Sequence, residues 1–193
     1  MVTCSESGQY VATIRTLDGV PHVYFSNNYG ADMKMEGSHE VNYVTMSHGG
    51  GYYMSLLNDD NDEKPFHFYI LNASAGTGWA EGAFPEDTYC EYTTIAGYDD
   101  DITIYASSCY IYINVEVGYA PTQTVLSSSD LGVTWNTVSL PLELWTHVTS
   151  NVYGTVIMVS SSTSMHRSVD SGANFYKENP SSGWDLVQLN AYG

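Results

Sequence analysis

The chain has 193 residues, enough for one domain burying roughly 70% of the surface its unfolded form exposes. Its 22 acidic and 5 basic side chains give a formal net charge of −17, which excludes binding to nucleic acid or anionic lipid through a basic surface. No apolar run approaches the ~18 residues of a membrane-spanning helix, and Met1–Glu6 has neither the basic segment nor the apolar core of a signal peptide.

Taken in order, the chain reads as short strands separated by Gly-, Asp- and Ser-rich turns, with no sustained 3.6-residue period; the predicted class is all-β. A first unit runs from Val2 through a turn at Ser5–Gly8, then Tyr10–Ile14 and His22–Phe25. A second has Val41–Met46, a turn at His48–Gly51, Tyr52–Leu57 and Phe66–Leu71. The third has Tyr89–Ala96, a turn at Tyr98–Asp101, Ile102–Glu116 and Gln123–Ser127, with an extended hairpin expected around Ser107–Pro121. The fourth has Trp145–Val148, a turn at Asn151–Gly154, Thr155–Ser160 and Met165–Arg167. Trp184–Leu189 repeats the phase of Trp145–Ser150 and reads as a further inner strand. An unpaired apolar strand is a template for pairing with another chain, so self-association through residues 184–189 is one expectation. Ring closure by that strand, or membership of a longer ring, are the others.

Each unit ends in a turn of one kind. Ser128-Ser129-Asp130-Leu131-Gly132-Val133-Thr134-Trp135 and Ser168-Val169-Asp170-Ser171-Gly172-Ala173-Asn174-Phe175 both read S-x-D-x-G-x-x-aromatic. Two looser copies precede them. Ser26 to Met33 keeps Ser26 and Gly30, and Asn72 to Trp79 keeps Gly76 and Trp79. An Asp or Asn two positions before Gly accepts local backbone N–H groups, Gly takes a positive φ, and the aromatic anchors the hairpin. The copies start 46, 56 and 40 residues apart, the spacing of propeller blades.

These clasps resemble the Asp-box (bacterial neuraminidase) repeats of sialidase-like and sortilin-like β-propellers. The resemblance implies about four blades of four-stranded antiparallel sheet, at residues 1–38, 39–86, 87–142 and 143–183, with 184–193 as the extra inner strand. It also implies that each box joins the third and fourth strands of a blade and is structural. Sialidases of that family bind their carboxylate substrate with three arginines, whereas this chain has only Arg15 and Arg167, so that activity is not expected.

Cys90 and Cys109 are symmetric about a turn at Asp99-Asp100, so they face each other if the hairpin turn has two residues, within disulfide range. Two buried thiols are the alternative; a disulfide implies an oxidising compartment. Cys4 is left over. The acidic stretch Asn58–Glu63 offers Asp59, Asp60 and Asp62 as oxygen ligands for calcium, against a plain solvated loop. Asn72-Ala73-Ser74 is an acceptor sequence for N-glycosylation, against simple turn hydrogen bonding. The histidines at 22, 39, 48, 67, 147 and 166 show no ligand spacing, and no nucleophile elbow or phosphate loop occurs. The resulting expectation is a non-catalytic extracellular interaction module without a cofactor. The alternative is a carbohydrate-binding or glycoside-hydrolase propeller, using a carboxylate pair and tyrosines.

Overall fold

The structure is a computed structural model and describes residues 1–35, 41, 43–56, 67–72, 79–85, 87–98, 101–114, 118–122, 124–178 and 189. Four antiparallel sheets follow one another along the chain. The first holds β1 (Val2–Cys4), β2 (Val11–Leu17), β3 (Val20–Ser26) and β4 (Lys34–Met35), paired in that order. The second holds β5 (Tyr43–Met46), β6 (Tyr52–Leu56), β7 (His67–Asn72) and β8 (Ala80–Ala83).

The third sheet departs from the four-stranded pattern. Its β9 (Thr88–Tyr98) pairs along β10 (Asp101–Asn114), and β12 (Leu126–Ser128) carries β13 (Asn136–Thr137). Beyond the β12 pairing, β10 continues and takes β11 (Gly118–Pro121) on the same edge, so the expected extended hairpin adds a fifth strand. The fourth sheet holds β14 (Trp145–Ser150), β15 (Ile157–Ser161), β16 (Met165–Ser168) and β17 (Tyr176–Glu178).

The core lies between sheets rather than within them. Ala12 and Val23 of the first sheet pack with Val44 and Met46 of the second, and Trp79 closes that layer. Phe68, Ile70 and Phe84 of the second meet Ile95, Ile102, Ile104 and Leu126 of the third. Ala96, Tyr105 and Val125 of the third meet Trp145, Val148, Ile157 and Val159 of the fourth. Short alternating strands suit this arrangement, because each sheet's two faces can be buried against different neighbours.

His166 sits in the fourth sheet's buried side, 6% exposed, edge-on to Trp145 at 5.3 Å, and neither ring nitrogen has a hydrogen-bond partner among the described residues. Burial holds its pKa below the usual histidine range, Glu143 opposes that and Lys177 adds to it. The unfolded chain therefore takes up a proton below about pH 6.5 that the folded chain refuses, and stability falls as pH drops through that value. We expect His166→Leu to flatten the decline in melting temperature between about pH 7.5 and 5.5. Identical slopes for variant and wild type in a calorimetric pH series would remove His166 as its source.

Candidate functional site

The clasps come first, because their acids are the most regular polar feature of the chain. In the third sheet Ser128 Oγ donates to Asp130 Oδ1 at 2.8 Å and accepts the Gly132 N–H at 2.8 Å. The same carboxylate accepts the Thr134 N–H at 2.8 Å and the Thr134 hydroxyl at 2.6 Å. The fourth sheet repeats this with Ser168, Asp170, Gly172 and Asn174, at 2.7 to 2.9 Å. Hydrogen bonds from Thr134 and Asn174, ahead of those from the serines, hold both aspartates below the usual carboxylate pKa. Both are thereby fixed as anions and turned inward to their own loops, which is poor preparation for proton transfer.

The first clasp reaches the same end with its polar groups exchanged. Ser26 Oγ donates to Asn28 Oδ1 at 2.7 Å and accepts the Gly30 N–H at 3.0 Å; Asn28 Nδ2 then donates to the Asp32 carboxylate at 2.8 Å. Two successive residues are left-handed in each described clasp: Tyr29 and Gly30, Leu131 and Gly132, Ser171 and Gly172. In the second sheet strand register differs from the sequence alignment by one residue. Ser26, Ser128 and Ser168 face Val11, Ile104 and Ile157, but the equivalent Tyr53 faces Leu71, not Asn72. Asn72 Nδ2 donates instead to the Tyr52 hydroxyl at 3.2 Å, and Gly76 lies outside the described residues.

The aromatic that ends the third clasp reaches back to the preceding sheet, where the sequence reading had it anchoring its own hairpin. Trp79 packs in the layer shared by the first and second sheets, and Phe175 in the layer shared by the third and fourth. Trp135 packs against Phe68 and Phe84, with centroids at 5.8 and 5.1 Å, and donates through Nε1 to the Ala83 carbonyl at 3.0 Å. Loss of the buried clasp hydroxyl in Ser168→Ala strands the Gly172 N–H, and we expect a cost of about 1–3 kcal/mol in chemical denaturation. Ser162→Ala, at an exposed neighbouring turn, serves as the unaffected control.

The Gly turns read at Ser5–Gly8, His48–Gly51 and Asn151–Gly154 hold a second repeated clasp, whose side-chain hydrogen bond the sequence reading did not name. Ser5, Ser47 and Asn151 each accept, through a side-chain oxygen, the N–H of the residue five positions on, at 3.0 to 3.1 Å. Its signal, Ser or Asn three before Gly and five before an apolar residue, was present but diluted by variation. Glu143 was missed too; its carboxylate accepts the hydroxyls of Ser164, Ser161 and Thr163, which lower its pKa.

Two concave regions accompany these clasps. The inner strands border a cavity of about 390 Å³, lined by Thr3, Tyr43, His48, Tyr92, His147 and Leu189 among others. Tyr92 stacks on His147 at 4.5 Å and meets Tyr43 edge-on at 5.7 Å. Burial, then the nearby Tyr92, pushes the Tyr43 phenol up to about 12, and burial pulls His48 down against a hydrogen bond to the Ser150 backbone. The second is a groove of about 930 Å³ between β8 and the third clasp, lined by Phe68, Ala80, Gly82, Phe84, Leu131, Val133 and Trp135 among others.

The remaining candidates are dispersed. Arg15 lies over the Tyr24 ring at 5.7 Å in the first sheet, and Arg167 pairs with Glu178 at 2.7 Å in the fourth. Cys90 and Cys109 face each other in register and are joined by a disulfide, while Cys4 is free and exposed. Asp59, Asp60 and Asp62 fall outside the described residues, among which no metal-holding group of His, Cys, Asp or Glu occurs. Among the described residues no helix is long and apolar enough to cross a membrane.

No family model and no curated protein matches the chain. Solved structures do. A chain described as YCF48 bound to D1 peptide superposes over 89% of this chain and 50% of its own, with TM-score 0.56 and 11% identity. TolB from Acinetobacter baumannii superposes over 93% of this chain and 44% of its own, with TM-score 0.62 and 10% identity. The chain thus spans about half the length of these two β-propellers. Together with four successive antiparallel sheets that bury each other's faces, this makes the fold a β-propeller.

Proposed function

We propose that the chain is a non-catalytic, extracellular protein-interaction module whose clasps are Asp-box repeats. The observation that carries this reading is the use of the clasp polar groups: Ser, Asp or Asn, and Gly close the same loop in three sheets, and Trp135 at the end of the third clasp binds that sheet to the one before. These acids serve architecture, and both arginines are engaged singly on different sheets. The neighbour that holds a peptide offers a precedent for protein binding by this fold. The disulfide suits an oxidising compartment. A hydrolysis screen over neutral and acidic glycans is expected to show no turnover, and turnover would overturn the reading. Light scattering over a concentration series tests self-association, whose candidate strand 184–189 lies outside the described residues apart from Leu189.

A second reading rests on the inner cavity. The Tyr43, Tyr92 and His147 rings form a low-charge aromatic wall of the kind that stacks on sugar rings. A glycan array separates the two: retention that is lost in Tyr92→Ala favours carbohydrate binding, and an empty array removes it.

A further inference from the structure

We propose that the inner cavity binds a single neutral hexopyranose unit, held by a ring of threonine hydroxyls contributed by all four sheets. This rests on the carbohydrate reading of that cavity and names its ligand and the groups that recognise it. The ring is a consequence of strand register. Val11, Tyr53, Ile104 and Ile157 face the clasp position in their sheets, and the residues that follow them are Ala12, Met54, Tyr105 and Met158. Those four pair with Thr3, Thr45, Thr94 and Thr149 of the inner strands. Four separate strands thus carry threonine at one level, and all four threonines line the cavity.

Alternation explains where they point. Val44, Ile95 and Val148, next to Thr45, Thr94 and Thr149, pack into the layers between sheets, so the threonines turn to the cavity. Ser150 stands beside them on the same cavity, 3% exposed, and its Oγ has no hydrogen-bond partner among the described residues. A buried hydroxyl without a partner is costly, and a bound ligand hydroxyl would satisfy it.

Two residues back along the same strands stand Tyr43, Tyr92 and His147, a tier of rings about 7 Å from the threonines. Tyr92 is held in place by its stack on His147. A pyranose offers an apolar C–H face to such rings, and its edge hydroxyls both donate and accept, as those of threonine do. The cavity's volume of about 390 Å³ is near the lower end of the roughly 300–1,000 Å³ of small-molecule sites, which suits one sugar unit rather than a length of polysaccharide. Threonine hydroxyls bring no formal charge, and the net charge of −17 opposes an acidic sugar.

The test titrates the whole chain with methyl glucopyranoside, methyl galactopyranoside and methyl mannopyranoside in saturation-transfer NMR, with glucuronate as the charged probe. At least one neutral probe is expected to bind saturably, about tenfold or more tighter than glucuronate. Thr94→Val and Thr149→Val keep the side-chain shape and remove the hydroxyl. The double variant T94V/T149V should weaken that binding about tenfold, the effect of two neutral hydrogen bonds, while thermal unfolding stays unchanged. Thr3→Val, on a different inner strand, is an independent check, expected to weaken it about threefold. No binding of any neutral probe, glucuronate binding as tight as the neutral sugars, or unchanged affinity in T94V/T149V would each overturn the proposal. Glycan-array retention lost in Tyr92→Ala yet kept in T94V/T149V would sink the threonine ring and leave the carbohydrate reading standing, whereas an empty array removes both.

Discussion

Phe68→Ala is expected to lower the unfolding free energy by about 3–5 kcal/mol, more than any other single truncation in the second sheet. The ring is fully buried and is held between two glycines of different sheets. A Cβ at Gly82 would lie 2.2 Å from Phe68 Cε2, and one at Gly132 would lie 2.2 Å from Phe68 Cζ. The ring cannot retreat from one glycine without striking the other. Gly132→Ala should therefore cost about 1–3 kcal/mol by overpacking, with about 1 kcal/mol more for its φ of +83°. Gly30→Ala carries only the backbone penalty, since nothing lies within 4 Å of a Cβ there. Urea denaturation measures all three. A Gly132→Ala loss no larger than that of Gly30→Ala would show that Phe68 does not lock the second and third sheets together. Phe68→Leu combined with Gly132→Ala should recover part of the loss, as neighbouring sites rarely add.

That lock also shows what was legible in the residues. Period-two alternation and the S-x-D-x-G turns were enough to place four strand groups, because both signals are local. The destination of the clasp aromatic was not, because an aromatic at a strand start fits its own hairpin as well as the neighbouring sheet. Met33 stands at the aromatic position of the first clasp, which breaks the pattern there. Gly30 in that clasp has nothing within 4 Å of a Cβ, where Gly132 abuts Phe68 and Gly172 abuts Tyr105. The one-residue difference at Leu71 was equally hidden, since only the pairing Tyr53↔Leu71 exposes it. The groove beside β8 has no sequence signature, being made by a strand and a loop about 50 residues apart whose common wall exists only after packing.

The second large effect concerns the hairpin that overshoots the third sheet. Breaking the Cys90–Cys109 bond, by reduction or by the double variant C90A/C109A, should cost about 3 kcal/mol, the entropy expected for a closed loop of some twenty residues. For a domain of this size that corresponds to a melting temperature lower by roughly 6–12 °C. Both cysteines are buried within the apolar cluster between second and third sheets, so the alanine pair also thins that layer. Reduction alone leaves the atoms in place, and the difference between the two treatments isolates that packing share. Just beyond the bond, β10 runs on to pair with β11, and the Thr122 N–H and hydroxyl both reach the Cys109 carbonyl, at 2.8 and 3.1 Å. Loss of the cross-link should therefore be felt first in hydrogen exchange of residues 110–121, with β14 to β16 protected until global unfolding. Uniform deprotection would mean that the bond holds the whole domain rather than the base of its longest hairpin. Cys4→Ser, at the exposed free thiol, should change neither measurement.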